Sequence, residues 1–272
     1  MNRRIPLDGK ATVLMLLLCT IWGLQQIALK AAAPDMAPIL QIGLRSGVAA
    51  ILVGLFLRFK GLSLLPERSA LPAGVLAGAL FSLEYLLAGE GLRHTSAAHM
   101  SVMLYTAPVF AALGLHFRLP EERLNPIQWS GILVAFGGVV IMFYDPASAG
   151  PSVNDMIWGD FLGLLAAMSW GATTVVIRTS KLADVPSAQT VMIQLICAVV
   201  ILLTACVLFG NTSFNPTEIL WVSLGYQTVI VCFFSFLVWF WLVLSRFPPW
   251  GAFVSDACFR GDFRRVAVKR NG

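Results

Sequence analysis

Eight stretches of this sequence, residues 11–29, 39–57, 70–92, 97–117, 127–144, 156–177, 188–209 and 219–244, are nearly free of charge, and each is about as long as a lipid bilayer is thick. A hydrocarbon core about 30 Å across needs roughly 20 apolar residues at 1.5 Å of rise per residue. Backbone polar groups cannot go unpaired in hydrocarbon, so such a stretch is helical unless it closes a barrel. Barrel strands alternate apolar with polar residues, and these stretches do not. Only 12% of the residues are charged against 58% hydrophobic, where a soluble domain carries about 25% charged residues. The connections are short, which predicts an all-α polytopic membrane protein of eight transmembrane helices in one bundle. Basic residues precede the first stretch, as in a signal peptide, but it contains Gln25 and Gln26 and leads straight into another span, which argues against cleavage.

The placement of the basic residues predicts the orientation. With the N-terminus in the cytoplasm, all of the 19 basic residues except Lys30, Arg93 and Arg45 fall in inner segments, with Lys30 and Arg93 outside and Arg45 inside a helix. This alternation obeys the positive-inside rule and puts both termini in the cytoplasm of a multi-pass protein of the cytoplasmic (inner) membrane. The net charge of +5 is thereby accounted for without a nucleic-acid partner. Trp129, Tyr144 and Trp158 fall near span ends, where aromatic belts form. Cys19, Cys197, Cys206 and Cys232 lie in or near helices and Cys258 in the last stretch, which argues for packing roles over a disulfide framework.

An internal repeat fixes the architecture. Sliding the sequence by 148 residues pairs Trp22-Gly23 with Trp170-Gly171, Pro38 with Pro186 and Gln41 with Gln189, and sets Lys30 against Arg178. The offset carries the first helix onto the sixth. An odd number of spans therefore forms the repeat, and successive repeats enter the membrane in opposite directions, as in secondary transporters with substrate sites near the midplane. The expected division is a first five-helix repeat over 1–144, an incomplete second repeat of three helices over 145–249, and an atypical basic tail over 250–272. After the turn at Arg246-Phe247-Pro248-Pro249 the uncharged run 247–255 is too short for a ninth helix. Two readings of the tail stand: an interruption of the coding sequence near Pro248, or a basic cytoplasmic tail that binds anionic lipid headgroups.

These residues resemble the EamA-type transporters of the drug/metabolite transporter superfamily. The likeness rests on Trp22-Gly23, on Leu44-Arg45-Ser46-Gly47, on Tyr105-Thr106-Ala107-Pro108-Val109, on Leu119-Pro120-Glu121-Glu122-Arg123-Leu124, on Gln128-Trp129-Ser130-Gly131 and on Gly137-Gly138. It covers residues 11 to about 245. The resemblance implies ten helices in two inverted repeats around a central cavity, with export or import of small metabolites. In the family the ninth helix helps to line the cavity and the tenth packs at its partner repeat; this chain departs by lacking both.

Ionisable groups inside a membrane are costly, so they are functional candidates by default. Arg45 and Glu84 should sit at similar depth, close enough to pair. Arg45 would hold a substrate carboxylate, or Glu84 would take up protons to couple transport; a neutral pair that only fixes packing is the structural alternative. Glu90 and Asp160 are expected at the interface. Trp22, Gln25, Gln26, His99, Tyr105, Trp170, Thr174, Gln194, Tyr226 and Gln227 interrupt the helices and are candidates to line the cavity, though packing glue competes for each. Trp22 and Trp170 should stand near the pseudo-twofold axis. Gly43-x-x-x-Gly47, Gly74-x-x-x-Gly78 and Gly159-x-x-x-Gly163 permit close helix approach, and Pro108 should bend helix four.

The sequence contains no His-Glu-x-x-His, Gly-x-Ser-x-Gly or Walker loop, which argues against an enzyme, a metal site, a cofactor or an ATP-driven pump within the chain. The expected partners are a small amino-acid-like or drug-like substrate, the bilayer and a coupling ion or proton, with homodimerisation left open. Two functions follow: a secondary transporter for small metabolites, or a truncated, non-transporting membrane remnant of one.

Overall fold

The computed structural model describes residues 9–142 and 153–245. The eight apolar stretches are all helical there. They form α1 (Gly9–Ala31), α2 (Pro38–Phe59), α3 (Leu71–His94), α4 and α5 (Ala97–Leu104 and Ala107–Arg118), α6 (Pro126–Met142), α7 (Val153–Thr179), α8 (Ser187–Phe209), and a last rod of α9 (Glu218–Gly225), a π-helix (Tyr226–Ser235) and α10 (Phe236–Ser245). Among the described residues seven helical rods are long and apolar enough to cross a membrane. The described part of α6 is shorter, at 17 residues. Tyr144 and the tail 250–272, with Cys258, lie outside the described residues.

The fourth span shows why proline placement matters. Pro108 has no N–H for the helix ladder and its ring clashes with the preceding turn, and the span breaks at Tyr105-Thr106, so that Pro108 falls in the first turn of α5. The Thr106 hydroxyl turns back to the Met103 carbonyl at 2.6 Å. The last span breaks differently, through the wide π turn of Tyr226–Ser235, which its sequence did not predict. Such turns are rare and recur at functional sites.

Small residues set the helix spacing. A Cβ on Gly43 would come within 2.8 Å of Leu203, one on Gly74 within 2.6 Å of Ile193, and one on Gly78 within 2.6 Å of Cys197, so α2 and α3 both lie directly on α8. Where α3 crosses α7 the backbones themselves approach, and a Cβ on Gly159 would meet the Gly91 carbonyl oxygen and the Thr95 amide at 2.8 Å. The three predicted glycine pairs thus lie at helix crossings. Leu16, Leu17, Leu24 and Ile27 of α1 face outward, whereas Gln25 and Gln26 are buried. This is the arrangement a lipid-facing bundle requires, since polar side chains at membrane depth face the bundle interior.

Polar contacts at the two ends show which connections share a side. At one end the Thr217 hydroxyl donates to Asp35 Oδ2 at 2.5 Å, and Asn215 Nδ2 donates to Asp35 Oδ1 at 3.3 Å. There too, Lys30 donates to the carbonyls of Leu92 and Thr95 at the end of α3, at 2.5 and 3.0 Å. At the other end Gln189 Nε2 donates to the Ser63 carbonyl and hydroxyl at 2.8 Å, and Arg178 forms a two-pronged ion pair with Glu122.

Candidate functional site

A cavity opens between α1, α3, α4, α7, α8 and α10. Its wall begins with tryptophans. Trp22 and Trp170, the pair related by the 148-residue offset, meet edge to face with ring centroids 5.3 Å apart, and Trp239 closes the triad at 5.4 and 6.3 Å. Trp22 Nε1 donates to the Ser235 hydroxyl at 2.8 Å, which ties α1 to the π-helix. Phe81 bridges Tyr85 at 4.8 Å and Phe236 at 5.7 Å to continue the aromatic lining.

The polar side chains in that wall divide into two kinds. Most are engaged with the protein itself: the Tyr105 hydroxyl donates to the Cys19 carbonyl, Ser101 to Ala97 at 2.7 Å, Thr173 to Ser169 at 2.9 Å and Thr174 to Trp170 at 3.2 Å. Two are not. Among the described residues Glu84 Oε2 and both amide atoms of Gln194 are buried, line or adjoin the cavity and meet no hydrogen-bond partner. A buried polar atom without a partner costs about 1–3 kcal/mol, more if charged.

Arg45 stands behind the wall, not in it. Its Nη1 donates to Gln227 Oε1 at 3.1 Å, and with the Gln25 amide turned so that both groups are satisfied, Gln25 accepts from Nη1 and Nη2 at 3.1 and 3.3 Å. The guanidinium carbon lies 4.8 Å from the Tyr85 ring centroid. Gln227 Nε2 extends the network to Gln41 Oε1 at 3.1 Å and to the Ser223 hydroxyl at 2.7 Å.

The expected Arg45–Glu84 pair does not form: among the described residues no ion pair joins them, although Glu84 stays within electrostatic reach of Arg45. Their depths match, but neighbouring residues on a helix are turned about 100° from each other. The Tyr85 ring lies against Arg45, and Tyr85 and Glu84 both line the cavity.

Of the other predicted lining residues, Trp22, Gln25, Gln26, Tyr105, Trp170, Thr174 and Gln194 do border the cavity, while Tyr226, Gln227 and His99 do not. Tyr226 donates to the Ile21 carbonyl at 2.8 Å. His99 belongs to a separate cluster: its Nδ1 lies 2.8 Å from Asp160 Oδ2, and the Thr95 hydroxyl donates to Asp160 Oδ1 at 2.5 Å. Asp160 is completely buried, beside Thr95 at the end of α3, where Thr95 and His99 supply the partners its carboxylate would otherwise take from water. Glu90 is half-exposed and pairs with Arg93 at 3.0 Å. The sequence reading missed Phe81, Tyr85, Phe236 and Trp239. For the first two a signal existed, since Phe81, Glu84 and Tyr85 follow the spacing of one helical face.

Comparison with known proteins agrees with this architecture. The sequence profile described as the EamA-like transporter family matches residues 9–144 and 157–249. The chain is similar to "Uncharacterized transporter YoaV" of Bacillus subtilis, at 26% identity over 82% of this chain and 76% of that one. It is also similar to "Uncharacterized inner membrane transporter YedA" of Escherichia coli K12, at 25% identity over 90% of this chain and 76% of the relative. An "Uncharacterized transporter" of Archaeoglobus fulgidus matches at 25% identity over 88% and 82%. One crystal structure, 18% identical, superposes with a TM-score of 0.66 over 94% of this chain and 95% of its own, which speaks to the fold alone.

Proposed function

Because this chain belongs to the EamA-like transporter family, we propose that it is a secondary transporter that carries small, amino-acid-like or drug-like metabolites across the cytoplasmic membrane by exposing the tryptophan-walled cavity to one side and then the other. The observation that carries this reading is the cavity itself. It lies where residues from both halves of the chain meet, and its wall holds Glu84 and Gln194 with hydrogen-bonding capacity left over. Binding at such a junction is what inverted-repeat transporters use, since rocking one half against the other changes access without dismantling the site.

The site's geometry also suggests the resting state. The contacts of Asp35 with Thr217 and of Lys30 with Leu92 and Thr95 tie shut the end that the positive-inside rule places outside. The cavity reaches toward Ile177 and Trp239, on the side of the other end. We read this as a conformation closed to the outside.

Reconstitution into proteoliposomes tests the proposal. Labelled amino acids and amines should show saturable flux above protein-free vesicles, lowered about tenfold or more by Trp170→Ala, the change expected when a central aromatic contact is lost. Flux no greater than in protein-free vesicles for the whole panel, from protein that remains folded, would leave the non-transporting remnant as the correct description.

A further inference from the structure

The cavity's hydrogen-bonding balance distinguishes among substrate charges. Glu84 is the one acidic side chain that lines it, and among the described lining residues there is no lysine, arginine or histidine. A ligand carboxylate would need donors from the wall, but the hydroxyls of Ser101, Tyr105, Thr173 and Thr174 donate to backbone carbonyls, and Trp22 Nε1 donates to Ser235. Arg45, which could have held an anion, faces Gln25 and Gln227 instead. Among the described residues Glu84 Oε2 and the Gln194 amide, which can accept or donate, have no partner, and no cationic side chain lines the cavity beside them to hold an anion. No hydrogen bond from Arg45 or from any other described group reaches Glu84 Oε2. The same cavity is lined by the rings of Trp22, Trp170, Trp239 and Phe81, and aromatic faces attract cations through their quadrupoles.

We propose that the cavity recognises a small organic cation, a primary ammonium on a flat apolar body, with Glu84 as counter-ion, Gln194 as a second polar contact and the tryptophan triad against the apolar part. This rests on the transporter reading and narrows it to a substrate class.

Four probes with one phenyl ring and a short side arm test the inference by calorimetry on the full chain in lipid nanodiscs: phenethylamine, 2-phenylethanol, phenylacetate and phenylalanine. Phenethylamine should bind at least about tenfold tighter than the alcohol, with no detectable phenylacetate binding, the difference one charge-assisted hydrogen bond makes. Glu84→Gln should remove that advantage while 2-phenylethanol binds as before, which also reports that the variant is folded. If the variant does not fold, the ranking of the four probes on the unmodified chain decides alone. Phenylacetate or phenylalanine binding as tightly as phenethylamine, and weakened by Trp170→Ala, would overturn the cation assignment and leave the transport site standing. Binding of no probe, together with no flux in proteoliposomes, would overturn both.

Discussion

A single side chain, Arg45, shows how a charge survives inside this bundle. Removing an ion from water costs several kcal/mol unless geometry and hydrogen bonds compensate, and the guanidinium is almost wholly inaccessible. Its compensation is amide oxygens, from Gln25 on α1 and Gln227 on the π-helix, and the face of Tyr85. Gln227 is the hinge of this arrangement, because its other end donates to Gln41 and Ser223. Gln227→Leu should therefore destabilise the protein by roughly 1–3 kcal/mol, the cost of leaving buried polar groups without partners, read as a lower melting temperature in detergent. A melting temperature equal to that of the unmodified chain would mean that the network contributes nothing to folding. From sequence, Arg45 and Glu84 were recognisable as buried and as equal in depth. Which way each faced was not, because depth follows from counting residues along a helix, whereas azimuth depends on the neighbours it finally packs against. The same limit hid the pairing of Asp160 with His99 and Thr95, residues far apart in the chain.

Among the helices, the positions of crossings were legible and the irregular turns only partly so. Glycines spaced by four marked faces that permit close approach, since lack of a side chain is what lets two backbones meet; that these faces join α2 and α3 to α8 and α3 to α7 came only with the structure. Proline announced the break before α5 by its missing N–H. Nothing comparable announced the π-helix: Tyr226–Ser235 is as apolar as an ordinary span, and its wide turn arises where Gln227 reaches Arg45 and Ser235 accepts from Trp22. The glycine argument yields a comparison within one protein. Gly159→Ala places a Cβ 2.8 Å from backbone atoms of α3, which cannot swing aside as a flexible side chain could, whereas a Cβ on Gly131 of α6 meets nothing within 4 Å. Overpacking of the first kind costs about 1–3 kcal/mol. Gly159→Ala should accordingly lower the yield of monodisperse protein and its melting temperature, and Gly131→Ala should leave both within error. Equal behaviour of the two variants would remove the close α3–α7 crossing as a determinant of the fold.

For the molecule as a whole, the decisive property is that equivalent connections of the two halves lie at opposite ends. The loop after α1 meets residues 214–217, while the loop after α7, its counterpart 148 residues later, lies with the end where Gln189 grips Ser63 and Arg178 grips Glu122. Hydropathy and charge made this layout legible because an odd count of spans reverses direction whatever the packing; which residues tie each end shut was set by loop contacts no periodicity encodes. Pro34 and Asp184 mark the two loops, and both are exposed. Choosing Pro34 leaves the hydrogen bonds of its neighbour Asp35 intact. With the five native cysteines replaced, Pro34→Cys should react with a membrane-impermeant maleimide on intact cells, and Asp184→Cys only after permeabilisation, the outcome expected from the positive-inside rule. Reversed labelling of the two sites would correct the orientation but keep the antisymmetry. Labelling of both from one side would mean that the repeats run in the same direction, and a cavity shared by two oppositely inserted halves could not then exist.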